Sequence, residues 1–168
     1  KMKIIGIDPG INTGIVALDF QLETKKIQLI DHYAINIPSN KESKGDTFVV
    51  YQKAIANELL KLKGNIICVE HPAGRVSTII PTLQRYTGIL MIPYLYPRVQ
   101  KLLWIKDCLE VYVPSWKKEI IGKGNAKKTD IAKWIQEKYP NEIFESQDEM
   151  DAIGIGLWAT KHIEIETE

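Results

Sequence analysis

The chain is poor in the residues that build most small metal and redox sites. Its 168 residues include two cysteines and three histidines. Cys68 and Cys108 lack the paired spacing of a zinc ligand set, and each lies in an apolar stretch, so they read as two buried, reduced thiols. His32, His71 and His162 are too scattered for a zinc cluster. No apolar run approaches the roughly 18 residues that a membrane span needs. Lys1-Met2-Lys3 leads directly into a short apolar strand, with no signal-peptide pattern. A cytoplasmic protein with no membrane partner is the expectation. Internal repeats and low-complexity segments are absent. An excess of one charge is missing as well: 22 basic and 21 acidic side chains leave a net charge of +1. Any surface for a polyanion must therefore come from the distribution of charge, not its sum.

What remains is ordinary for a globular protein, with 45% apolar and 26% charged residues. The length fits a single domain over residues 1–168 with a sizeable core. Short β-branched runs predict strands at 3–7, 15–20 and 27–37, joined by short links as an antiparallel meander. Helical spacing of Val49, Ile55, Leu59 and Leu62 predicts a helix over 48–62, ended by Gly64. Further strands are expected at 65–70 and 109–113, with a helix at about 78–92 and a short one within 98–108. Asn125 is the expected cap of a helix reaching Tyr139, and a last helix runs from Ser146 to about His162. The order predicts a mixed α/β sheet with helices on its faces.

Four acids stand out by position. Asp8 ends the first strand at a Pro-Gly turn, and Glu70 ends the fourth strand before Pro72. Asp148 and Asp151 are three apart in the last helix and share a face, whereas Glu149 is rotated off it. Each has a structural alternative. Asp8 could accept turn hydrogen bonds, Glu70 could pair with Arg75, and Asp148 could complement the helix dipole. Ser146 and Glu149 have capping-box spacing, so Glu149 is expected to bond back to the Ser146 backbone. Asp151 precedes AIGIGLWA, a small-residue run suited to lying on a sheet, where an unpaired carboxylate would be costly. Two strands ending on acids plus the helical pair are explained more economically by a shared cation. Oxygen-only ligands select Mg²⁺ or Mn²⁺. Such sites can hold two metals about 4 Å apart for phosphodiester cleavage, with Asp8 best placed to bridge them.

Between these acids lies WKKEIIGKGNAKK. From Lys117 to Lys133 six lysines face two acids, a local net charge of +4. Lys117, Lys118, Lys123, Lys127 and Lys128 flank a Gly-rich turn before a helix start, where amides and ammonium groups can receive phosphate; a solvated lysine face is the alternative. Trp116 and Trp134 beside it read as core residues rather than base-stacking ones.

The motifs IIGIDPGINTG, VEH, WKKEIIGKGNAKK and DEMDAIGIGLWA, in that order, resemble those of the RuvC family of crossover-junction endonucleases. The third carries the family's Gly-x-Gly-x-Ala-x-Lys pattern at Gly122, Gly124, Ala126 and Lys128. The resemblance implies an RNase H-like fold, with a five-stranded mixed sheet whose strands after the meander run parallel and whose helices cover both faces. It implies a homodimer that resolves Holliday junctions by paired, Mg²⁺-dependent nicking. The family's catalytic, metal-binding acids carry over onto Asp8, Glu70, Asp148 and Asp151, and its DNA-contacting lysines onto Lys117 (or Lys118) and Lys128. Bacterial members carry an aromatic wedge soon after the second acid, but here HPAGRV has none. Two alternatives stay open: another RNase H-like nuclease acting on RNA–DNA hybrid, flap or structured RNA, and a non-catalytic binder of branched DNA. An actin-like ATPase would need two lobes, for which the chain is too short.

Overall fold

The computed structural model describes residues 1–37, 44–71, 89 and 105–163, with the backbone alone over 44–48. Three strands, β1 (Met2–Asp8), β2 (Asn12–Phe20) and β3 (Ile27–Asn36), precede helix α1 (Lys44–Leu62). Two more strands are β4 (Ile66–His71) and β5 (Asp107–Tyr112). A four-residue helix, α2 (Val113–Trp116), runs into a π-helical turn at Lys117–Ile121, and α3 (Lys128–Lys138) and α4 (Gln147–His162) follow. The sheet order is β3-β2-β1-β4-β5. β1, β2 and β3 pair antiparallel, whereas β1–β4 and β4–β5 pair parallel. This is the expected mixed sheet, an antiparallel meander extended by parallel strands. Among the described residues no helix is long and apolar enough to cross a membrane.

The strands at the centre read as continuous apolar runs because both sheet faces are covered. Ile4, Val16, Leu18, Ile66 and Cys68 pack with Ala152, Ile153 and Leu157 of α4. Ile5, Ile7, Ile15, Ile67 and Val69 pack on the opposite face with Tyr51, Ile55 and Leu59 of α1. Alternate residues thus go to opposite layers, as the strand period requires.

Several boundaries differ from the sequence reading. β2 begins at Asn12, three residues early, because its ladder with β3 continues to the pair Asn12–Asn36. α1 begins at Lys44, not residue 48, and Lys63 rather than Gly64 takes the left-handed backbone beyond its end, at φ 53°. Asn125 does not cap the helix before Tyr139. Lys127 holds that place, its backbone N–H donating to the Asp130 carboxylate at 3.0 Å. The short helix expected within 98–108 is not continued at its end, since Asp107 and Cys108 are in β5. The remainder of that segment, the helix expected at 78–92 (apart from Ile89) and the Pro72–Val76 stretch lie outside the described residues. Cys68 is buried, but Cys108 is only partly so.

Candidate active site

The sheet brings the first two acids side by side. β1 and β4 run parallel with Ile4 opposite Ile66 and Ile7 opposite Val69. One step beyond that last pair lie Asp8 and Glu70. Because Ile4 shares a layer with Ile66 and Cys68, alternation along each strand turns both carboxylates toward the α4 face. Pro9 and Gly10 stop the strand there. Thr13 secures the turn, its hydroxyl donating to the Gly10 carbonyl at 2.8 Å and meeting the Tyr51 hydroxyl of α1 at 2.8 Å.

Missing side chains bring α4 onto this edge of the sheet. Gly14 stands opposite Asp8 in the ladder, and a Cβ on Gly14 would collide with the Asp148 carbonyl. A Cβ on Gly6 would lie 2.5 Å from the Ala152 carbonyl oxygen and 2.7 Å from the Gly156 nitrogen. The small-residue run after Asp151 therefore lies on the sheet as its composition suggested, and the first turns of α4 sit over Asp8.

The start of α4 is held by a buried polar cluster. Ser146 is the N-cap, its Oγ accepting from the Glu149 backbone N–H at 3.3 Å. The same hydroxyl donates to Glu149 Oε1 at 3.0 Å. The Glu149 side chain does not return to the Ser146 backbone; it accepts instead from the Glu145 N–H at 3.4 Å. It also meets His32 Nδ1 of β3 at 3.0 Å. Glu149 is only 3% exposed, and these partners account for its buried carboxylate. His32, without an assigned role in the sequence reading, ties β3 to α4.

Electrostatics shows that the four acids share one neighbourhood. Burial holds the Asp8 carboxyl well above the usual carboxylate range, and Glu70, Asp151 and Asp148 add to the rise in that order, while Lys128 opposes it. Glu70 is pushed up to about 7, chiefly by burial and further by Asp151; a hydrogen bond from the Trp116 indole and the charge of Lys117 pull the other way. Asp151 is raised by burial, against a hydrogen bond from Gln147 Nε2 at 2.8 Å and the charges of Lys117 and Lys128. The acids remain apart: among the described residues no three carboxylate, imidazole or thiol groups are drawn close enough to chelate an ion as they stand. The arrangement is a group of partly desolvated like charges, which favours either protons or a cation.

The basic segment divides. Lys117 and Lys128 act on the acids electrostatically, whereas Lys118, Lys123 and Lys127 are not among the charges that shift them. Lys117 opens the π-helical turn, which closes through Gly122 at φ 92°. Glu119 fastens that turn to the end of α4. Its carboxylate accepts from Trp158 Nε1 at 3.0 Å and pairs with His162 Nε2 at 2.8 Å, and its carbonyl accepts from Lys161. The bond with His162 is the main reason the Glu119 carboxyl lies below its ordinary value. Trp116 is fully buried, and Trp134 packs against the same core, as their apolar character implied. His71, next to Glu70, lies with its ring centroid 4.7 Å from that of Tyr112. His32, Glu119 and the Trp116 indole bond escaped the sequence reading because their partners lie 39 to 117 residues away.

No protein-family model matches the chain, and no curated protein matches it. Solved structures do. Thermus thermophilus RuvC aligns over 96% of this chain and 95% of its own, with a TM-score of 0.73 and 17% identity. The yeast mitochondrial Holliday junction resolvase Ydc2 aligns over 95% of this chain and 82% of its own, with a TM-score of 0.67 and 14% identity. The fowlpox virus Holliday junction resolvase aligns over 96% of this chain and 100% of its own, with a TM-score of 0.63 and 15% identity. The chain shares the RNase H-like fold of these proteins over nearly its whole length.

Proposed function

We propose that this chain is a divalent-metal-dependent endonuclease that resolves four-way DNA junctions, with Asp8, Glu70, Asp148 and Asp151 as its catalytic acids. The observation that carries the reading is Asp8. A carboxyl seated on a central strand, desolvated and repelled by three further acids, is a standing cost to the fold that a bound cation would relieve. The donors are oxygen alone, which suits Mg²⁺, or Mn²⁺ in its place. The fold, shared with junction resolvases on similar scaffolds, supports a branched DNA substrate.

In this reading Asp8 and Glu70 present oxygens from the sheet, and Asp148 and Asp151 present theirs from α4. A pair of Mg²⁺ ions would activate water and neutralise charge at the scissile phosphate. Lys117 and Lys128 hold cationic charge beside the acids, fit to offset the phosphates entering the site. Lys118, Lys123 and Lys127, around the Gly-rich turn, extend the phosphate-binding surface away from the reacting bond. The working unit is a homodimer, whose two sites suit the two strands that a junction requires to be cut; sedimentation with and without junction DNA checks it.

The test is Asp8→Asn. Removing one carboxylate while keeping shape should abolish cleavage of a synthetic four-way junction in Mg²⁺ and in Mn²⁺, with folding and junction binding kept. Turnover by the variant would sink the assignment. Matched RNA–DNA hybrids and flaps are assayed beside the junction; preference for either by the unaltered protein would replace the junction as substrate. Tight junction binding with no cleavage by the unaltered protein would make it a binder.

A further inference from the structure

Trp116 reads from sequence as core, and 0% exposure agrees. Its surroundings ask for more than bulk. The indole Nε1–H donates to Glu70 Oε2. The ring lies under α4, where a Cβ on Gly154 would come 2.5 Å from Cζ3 and 2.8 Å from Cε3. The Lys117 ammonium is 5.5 Å from the ring centroid. One rigid side chain therefore touches Glu70, the helix that carries Asp148 and Asp151, and Lys117.

We propose that Trp116 is the positioning residue of the metal site, its indole N–H fixing one oxygen of Glu70 so that the other is presented to the cation. The inference rests on the metal-dependent reading above. An indole N–H is a donor only and cannot turn into an acceptor. With Trp116 fully buried, the N–H has no water to exchange with, so the bond to Glu70 persists and orients the carboxylate. Oε2 is committed to it, which leaves Oε1 as the ligand atom. Carboxylate ligands held by outer hydrogen bonds in this way bind metal more tightly than free ones. Gly154 belongs to the same device. The absence of a side chain there lets α4 rest on the indole, so one ring sets the depth of Glu70 and the height of Asp151 together.

The test removes the N–H without removing the ring. Benzothienylalanine at position 116 replaces N–H by sulfur in a side chain of nearly the same shape; Trp116→Phe is the genetic counterpart. Mg²⁺ affinity is measured by calorimetry on the intact protein, alongside thermal melting and junction cleavage. The expected result is a Mg²⁺ dissociation constant raised about 10-fold or more, a melting temperature close to the parent for benzothienylalanine, and cleavage largely restored at saturating Mg²⁺. In the unaltered protein, Mg²⁺ should move the Trp116 indole ¹⁵N–¹H resonance more than those of the other tryptophans. A Mg²⁺ affinity within about 2-fold of the parent, or an indole signal indifferent to a metal that calorimetry shows to bind, overturns the inference and leaves the nuclease reading standing. No Mg²⁺ binding by the parent overturns both.

Discussion

Replacing Glu70 by Gln should make the metal-free protein more stable while destroying its activity. The carboxyl stands at about 7 instead of its ordinary 4.5. That displacement corresponds to a charge-burial cost on the order of 3 kcal/mol once the group is ionised. The direction follows from linkage. A carboxyl whose folded pKa is raised contributes fully below the unfolded value, and its contribution is lost as pH rises through the folded one. The unaltered protein should therefore lose stability relative to Glu70→Gln between pH 4.5 and about 7. The amide can still accept the Trp116 indole bond through its oxygen and adds no charge opposite Asp8. Since Asp8 is raised in part by Glu70, the acids titrate together and the observed midpoint belongs to the group. In EDTA at pH 8 the variant should melt roughly 6–12 °C higher for a gain of about 3 kcal/mol; at pH 4.5 the two should coincide. Saturating Mg²⁺ should narrow the gap at pH 8, because it stabilises the unaltered protein more. A variant no more stable at pH 8, or a difference independent of pH, would refute the claim that Glu70 is held ionised at a cost.

Lys128→Ala should weaken junction binding and reduce the slope of log affinity against log salt by about 1; an unchanged slope in a mobility-shift titration would assign Lys128 to the solvent instead. Gly14→Ala should lift the start of α4 from the sheet, since its Cβ would meet the Asp148 carbonyl. Strain of this kind costs about 1–3 kcal/mol, and chemical denaturation should show it together with a loss of cleavage at sub-saturating Mg²⁺.

Much of the site could be read in the sequence because its signals are local. Pro9 and Gly10 fix where β1 stops, Pro72 follows the end of β4, and an i, i+3 spacing needs only the helix period to put Asp148 and Asp151 on one face. The meander followed from the short links between the first three strands, and the two-sided sheet from the order of strands and helices. What the residues could not disclose were partners distant along the chain. Glu149 looked like a capping residue and is one in part, but its meeting with His32 depends on β3 and α4 being neighbours. Trp116 carried an apolar signal strong enough to hide its polar atom. The cap at Lys127 was missed because Asp130 supplies the bond from inside the helix, where a side-chain acceptor was expected just before it.

The glycine seam also has a consequence for how the protein comes into being. β1 and β2 leave the ribosome before α4, with Asp8 already at its strand end and Gly14 paired opposite, but the helix that rests on them begins more than 130 residues beyond Gly14. Closing so long a loop is entropically slow compared with forming the meander. Until α4 docks, Asp8 and Glu70 stay hydrated and separate from Asp148 and Asp151. The carboxylate group is thus completed only when α4 reaches the first strands, and a partly made chain holds only half of it.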